Sequence, residues 1–505
     1  MDEGVDQIFS LSNLMGGECL VGTPDNIPDN CLQLMYNMEY AGEMLQPQSV
    51  PGVAKKYSSW YAGGYIYGNT DDIYGNTNSI AYQEVDEIKR GHYDTIHNCM
   101  LIATQNALYK VSDEFNRTLL GTLTGTYEPI FCQYDDKVLI ATGGEIQQFD
   151  GTTLTTITGS PLTHHVSTVF GRVRAYNILS DVINYSAIGD PTGWVNSPSD
   201  VSSSQFIQVG YKDAGFITST MMLSTDLIVL KSSGVPYRVT NEDDFTAIRV
   251  VAAAEKVYAW NYYCGLTVGN KCYFVGKEGF ESFSTVTAYG AVKIDEPSPG
   301  YFINSRIALD SDSSARLWHV PTRKQIWVKT KNDKFVYIYH YNLMANGVAG
   351  SWTRRTFTHQ INDVFTKGKD VFIFYGGMLG QLDETTDLDD GVPVGGQVIT
   401  KRKVPIQKKY VIDYFKYTSY NILPGNAVLD ISTKNYPHTL TGGDSLIWGD
   451  DSPIYGDDSP IYGEQFTTIR KHLQKRCNYL EGKITVNRGR IAIREFIVQA
   501  EEVEY

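Results

Sequence analysis

Met100-Leu-Ile-Ala-Thr104 and Val138-Leu-Ile-Ala-Thr142 repeat the same four residues, Leu-Ile-Ala-Thr, 38 positions apart. Each run is apolar and short enough for a strand buried on both faces. The first continues into Gln-Asn-Ala-Leu-Tyr-Lys-Val-Ser-Asp113, the second into Gly-Gly-Glu-Ile-Gln-Gln-Phe-Asp-Gly151. Both read as strand, turn, strand. The step is close to the ~40–45 residues of a propeller blade. Five more such units follow, at Arg172–Ser186, Leu227–Val239, Cys272–Phe283, Ile326–Tyr339 and Val371–Leu382. A sheet this small cannot bury both faces alone, so radial stacking around an axis is the expected solution. The seven hairpins therefore predict an all-β chain with a β-propeller of six or seven irregular blades. An array of β-sandwiches is the alternative reading.

The third unit carries the most detail, in Phe170-Gly-Arg-Val-Arg-Ala-Tyr176 and the residues up to Trp194. Val173 and Ala175 alternate with Arg172 and Arg174, the period of a strand. Gly189-Asp190-Pro191-Thr192-Gly193 is a turn cluster that excludes helix. Trp194 is expected to pack between blades, and the two arginines to pair with acidic groups.

Residues 1–60 read as a leading segment, in which the strand at Cys31–Met38 is expected to close the ring by pairing with the last blade. Residues 61–386 are assigned to the propeller. They include a turn-rich excursion with the seven-residue repeat Ile66-Tyr-Gly-Asn-Thr70, Ile73-Tyr-Gly-Asn-Thr77. Asp387 to Gly396 resembles a linker. Residues 396–505 hold longer alternating runs, which predict a C-terminal β-sandwich. Within it, residues 444–464 are three tandem heptapeptides: Asp444-Ser-Leu-Ile-Trp-Gly-Asp450, Asp451-Ser-Pro-Ile-Tyr-Gly-Asp457 and Asp458-Ser-Pro-Ile-Tyr-Gly-Glu464. Their Pro and Gly exclude helix and central strand. A kinked loop would present Ile447, Trp448, Ile454, Tyr455, Ile461 and Tyr462 to a neighbouring subunit, and a solvated surface loop is the other reading.

The 505 residues carry 43 Lys and Arg against 57 Asp and Glu, a net charge of -14. From Gly396 onward there are 15 basic against 13 acidic residues, which leaves 28 against 44 in the rest. The acidity lies in the first four-fifths and argues against a general nucleic-acid-binding surface. No run of ~18 apolar residues marks a membrane span. The start, Met1-Asp2-Glu3-Gly4, lacks the features of a secretory signal. Seven cysteines without metal-ligand spacing read as reduced thiols in a protein made in the cytosol.

Catalytic patterns do not emerge. Gly265-Leu-Thr-Val-Gly-Asn-Lys271 has the wrong glycine spacing for a phosphate loop and lies between strands. His164-His165 has no third metal ligand nearby and reads as a surface or turn feature. Asp71-Asp72, Asp450-Asp451 and Asp457-Asp458 lack a calcium-loop spacing. Ser186-Ala-Ile-Gly-Asp-Pro-Thr-Gly-Trp194 places its acid two positions too late for a sialidase-type box. No enzyme, metal or cofactor is expected. The basic clusters Lys401-Arg-Lys403, Lys408-Lys409 and Arg470, Lys471, Lys475, Arg476 have no interleaved stacking aromatics, so a solvated or subunit-facing role is expected of them.

One resemblance covers most of the chain. Asn13-Leu-Met-Gly-Gly17, Pro24-Asp-Asn-Ile-Pro28-Asp-Asn30, Asn37 and Pro51-Gly52 resemble the opening of tail hub or nozzle proteins of short-tailed bacteriophages, the tail tubular, packaged-DNA-stabilising family. The Gly-Arg strand, the Tyr-Ser strand and the Gly-Asp-Pro to Trp turn resemble its blade signature, here Arg172, Gly189, Asp190, Pro191 and Trp194 beside Gly16 and Gly17. A departure is Gln48-Ser-Val-Pro-Gly52, where the family often has Arg before the turn. The resemblance implies a virion structural protein, assembled in the host cytoplasm as a homohexameric ring below portal and adaptor. It would hold tail spikes, fibres or a plug and line the genome-ejection channel, with double-stranded DNA passing without tight binding. A carbohydrate-binding or glycan-hydrolysing β-propeller of a phage receptor-binding protein is the alternative.

Overall fold

The computed structural model describes residues 7–10, 14–41, 46–57, 88–440 and 466–503, apart from 198, 211–212, 214, 233–234, 254–256, 287–290, 332–334, 346, 376–377, 406–408 and 432–433. The heptapeptide loop with its six apolar candidates, the acidic pairs and the 66–77 repeat lie outside them. Strands dominate, and the short helix Asn304–Asp310 is the single α-helix among the described residues.

All seven expected hairpins are present, each as the middle strand pair of a four-stranded antiparallel unit. Blades one to five are separate sheets spanning Ile88–Thr122, Ile130–Thr156, His165–Gln208, Ile217–Ala252 and Gly265–Ile294. Sector six, Arg316–Thr356, is the first part of a thirteen-stranded sheet, and blade seven is built on Ile361–Asp383. Apolar clusters join neighbours all the way round. Leu101 and Val138 link blades one and two; Ile183 and Val229 link three and four; Trp318 and Ile373 link six and seven; Ile102 and Phe374 close seven onto one. The ring of six small sheets thus closes through the first strands of the large sheet.

The closing strand is not the expected one. Blade seven takes Gly52–Tyr57 as its fourth strand, with Leu382 opposite Val53. Leu32–Tyr36 instead joins sector six, where Tyr36 pairs with Arg354, and continues the large sheet to Gly396–Thr400. The reason is a long-range contact: a Cβ on Gly52 would lie 2.3 Å from the Leu388 carbonyl oxygen, so only glycine admits that close backbone approach. Leu388–Asp389 and Val392–Pro393 then pair on the same sheet, so the expected linker is an added hairpin of blade seven.

The C-terminal region is one curled sheet where two stacked sheets were expected. Lys409–Ile431 and Gly482–Val503 are continuous strands of 23 and 22 residues, paired along most of their length. Pro424-Gly425 and Arg488-Gly489 sit opposite each other inside the pair. A Cβ on Gly425 would lie 2.0 Å from the Arg488 carbonyl oxygen, and the register shifts on both sides of this contact. Such bulges bend a sheet. They also switch which residues face inward, from Ile484 and Val486 to Ile491 and Ile493, then to Phe496 and Val498. The curl wraps one core that includes Phe415, Tyr417 and Leu429 with Met35 and Met38 of the leading segment.

Candidate assembly surface

The ring's centre is filled. Tyr263, just before blade five, is held between the guanidinium groups of Arg90 of blade one, 4.7 Å away, and Arg316 of sector six, 4.6 Å away. Blades one and five are not neighbours, so these contacts cross the middle of the ring. The Tyr263 hydroxyl donates to the Glu128 carbonyl at 2.5 Å, and Arg316 pairs with the Glu128 carboxylate at 3.0 Å. Asp363 of blade seven accepts from the Gly91 amide and the Trp318 indole, both at 2.8 Å. Burial pushes its carboxyl up to about 6. Each of these groups has a partner inside the fold, which marks the cluster as packing for the axis.

His164 and His165 belong to this interior, not to the surface as expected. His164 is buried edge-on to Tyr127 at 4.2 Å, and His165 stacks on Tyr176 at 4.8 Å. Desolvation pushes the His165 imidazole down to about 3. Three or more metal-ligating side chains come together nowhere among the described residues.

The N-terminal signature forms a seam along sector six. Gly16 donates to the Asn30 carbonyl at 2.8 Å. Gly17, at φ +69°, bridges to Trp352, and a Cβ there would lie 2.6 Å from the Trp352 backbone. Glu18 accepts from Arg354 at 2.7 Å, and Asn37 bonds both Thr356 and the Gly395 carbonyl. These residues stitch the leading segment, sector six and the C-terminal sheet into one body.

The blade signature forms a corner on blade three. Arg172 is buried and donates to the carbonyls of Ser186, Ser203 and Val201, which hold the long loop between the third and fourth strands. Gly189, at φ +72°, donates to the Gly171 carbonyl, and Asp190 caps Thr192 at 2.8 Å. The Trp194 indole donates to Pro191 and packs on the core between blades two and three, as expected. Arg174 makes the expected acidic pairing, with both oxygens of Glu242 at 3.0 and 2.9 Å; Arg172 binds carbonyls instead.

This corner leaves apolar groups uncovered. Phe170, Ile188, Val195, Val201 and Phe206 are exposed there, Val195 at 85% and Phe206 at 62%. Leu162, Leu179 and Phe216 are exposed beside the second-to-third-strand turn of the same blade. Among the described residues, eight of the 19 exposed large apolar ones thus fall within 162–216, a stretch of 55 residues. A cleft of about 350 Å³ opens between blades two and three, lined by Tyr134, Asp135, Phe170 and Gly189. The sequence signal was the run Phe170 to Phe206 itself, in which Phe170, Ile188, Val195, Val201 and Phe206 surround the blade signature.

Of the basic candidates, Arg470, Lys471, Lys475 and Arg476 lie on the strand Phe466–Cys477, opposite Lys416, Phe415, Ile412 and Val411. Arg476 is exposed. Lys403 bridges to Leu480, which brings Lys401, Arg402 and Lys403 close to the end of that strand.

No family model and no curated protein matches the chain. Solved structures match at the level of the propeller. BamB from Moraxella catarrhalis aligns at 12% identity and TM-score 0.39, over 59% of this chain and 84% of that one. A streptogramin B lyase aligns at 11% and 0.39, over 59% and 93%. The extracellular domain of the putative hybrid two component system BT4673 from B. thetaiotaomicron aligns at 11% and 0.42, over 78% of this chain and 56% of that one. The chain is similar to these in its β-propeller architecture alone.

Proposed function

We propose that this chain is a structural protein of a short-tailed bacteriophage virion, a tail hub or nozzle subunit. Six copies would form a ring below the portal and adaptor, line the DNA-ejection channel and anchor distal tail parts. The observation that carries this reading is the seam: Gly16, Gly17, Asn30, Asn37 and Gly52, the residues of the resemblance, all make close backbone or side-chain contacts that bind the two ends of the chain to the propeller. A part under internal DNA pressure has to hold together as one body, and this weave supplies that. The charge supports the same reading. DNA carries one negative charge per ~1.7 Å of its axis and would adhere to a basic wall. The acidic body instead lets it pass.

Native mass measurement or negative-stain microscopy of the purified chain tests this. A closed ring of six 56.5 kDa chains is expected, with duplex DNA retained weakly at physiological salt. A persistent monomer at micromolar concentration, or release of reducing sugar from host polysaccharide, would overturn it in favour of a glycan-directed propeller.

A further inference from the structure

We propose that the corner of blade three is an interface for a second copy of this chain, filled by the basic strip around Val404 on the neighbour's C-terminal sheet. The inference rests on the ring reading and assigns its contact surfaces.

Three observations point there. First, the exposed apolar residues concentrate on this blade, and soluble monomers seldom leave such a patch uncovered. Second, the described charges at its surface are mainly acidic, with the half-buried Lys137 beside Asp190 as the exception. Asp190 and Asp200 are exposed on the loop, and Asp135 and Asp136 are exposed on the adjoining turn of blade two, while Arg172 and Arg174 are buried inside. Third, a complementary surface exists on the same chain. Val404 is exposed beside Lys401, Arg402 and Lys403, with Arg476 exposed nearby, against the acids Asp29 and Glu481 that pair Lys401 and Arg402. An apolar centre with acidic rim meets an apolar residue with basic rim. Such complementarity fixes register and speeds encounter.

The two surfaces lie three sectors apart, because the C-terminal sheet joins the ring at sector six. Different patches on one molecule make a head-to-tail contact, which generates rings when the rotation closes. The loop is also pre-ordered. Arg172 holds three of its carbonyls, Ile188 donates to Ser202 at 2.9 Å, and Asn196 donates to Ser204 at 2.6 Å. Docking then costs little additional ordering.

Sedimentation velocity on the full chain provides the test, with a thermal melt on every variant. The double variant Val195→Asp with Phe206→Asp should sediment as a folded monomer where the parent forms rings. Asp136→Lys and Arg476→Glu should each raise the half-dissociation concentration at least tenfold, and the two together should restore it to within threefold. Should the aspartate variant fail to fold, the exposed Arg476→Glu carries the test with its rescue. Rings that survive both kinds of change overturn this interface and leave the hub reading standing. A parent chain that stays monomeric at every concentration overturns both.

Discussion

Sector six and blade three follow one four-stranded plan, yet their outer edges end in opposite states. Sector six has its fourth strand, Val348–Thr356, covered by the leading segment, and Trp352 there is 1% exposed. Blade three ends on Gln205–Gln208, and no described residue covers Phe206. Both regions carry a left-handed glycine and a buried arginine. In sector six these serve an edge that is finished within the chain. In blade three they hold rigid an edge that is left open. A propeller can therefore use identical local devices either to complete itself or to prepare a surface, and the outer strand decides which.

The largest effect should come from crowding the finished edge. Gly17→Ala adds a Cβ 2.6 Å from the Trp352 backbone at a φ of +69°. Backbone atoms cannot rotate away, so the leading segment must lift off sector six. We expect a loss above about 4 kcal/mol, in the extreme tail of single substitutions, read as soluble yield or denaturation midpoint. A variant as stable as the parent would mean that the seam contributes nothing.

Next comes the ion pair behind the open edge. Arg174 and Glu242 are buried and joined through both carboxylate oxygens, and the Tyr185 hydroxyl donates to the same carboxylate at 2.6 Å. Arg174→Met strands a buried carboxylate and should cost about 3 kcal/mol or more. Arg174→Met with Glu242→Gln should recover much of that, in a double-mutant cycle by urea unfolding. Additive losses would show that the two groups act separately.

Acid probes both regions at once. His165 in blade three and His340 in sector six are pushed down to about 3, and His92 to about 4, in each case mainly by desolvation. The buried His92 Nε2, His165 Nδ1 and His340 Nδ1 have no hydrogen-bond partner. The unfolded chain titrates its histidines near 6.5 and so binds more protons than the native state below that pH. The histidine contribution to stability is therefore full above about 6.5 and falls as the pH drops toward 3. By pH 5.5 each histidine should withdraw about 1 kcal/mol. Glu18 and Glu281, pushed up to about 7 mainly by burial, and Asp363, raised to about 6, act with the opposite sign and offset that loss over the same range. His165→Gln and His340→Gln should each raise the unfolding midpoint at pH 5.5, relative to that at pH 7, above the parent's. If neither does, the imidazoles are not the groups that titrate.

These regions also differ in how far the sequence exposed them. The seven hairpins were legible because Leu-Ile-Ala-Thr and its relatives combine apolar runs with turn residues at short range. The Gly189-Asp190-Pro191 turn and the packing of Trp194 were legible for the same reason. The ring-closing strand was not. Both Leu32–Tyr36 and Gly52–Tyr57 have strand character, and the choice depends on Leu388 approaching Gly52 from more than 300 residues away. The continuity of the two long C-terminal strands was not legible, because Pro424-Gly425 and Gly489 have the residues of turns and become facing bulges only in the folded sheet. His164 and His165 were placed at the surface because polarity alone does not reveal that Tyr127 and Tyr176 cover them. The candidate surface was half visible, since its residues bracket the blade signature but their exposure depends on a loop pinned by Arg172.

The smallest effect isolates conformation from crowding. Gly189 has a φ of +72°, nearly that of Gly17, but a Cβ built on it meets nothing within 4 Å. Gly189→Ala should therefore cost only the left-handed backbone penalty, about 1 kcal/mol, while Gly17→Ala pays that and the clash. The gap between the two variants, measured by the same denaturation, gives the energy of the close approach at the seam with the backbone penalty cancelled. Equal losses would mean that the leading segment relaxes around its new methyl group. The finished edge would then be as adaptable as the open one, and the seam could not be what makes the chain one body.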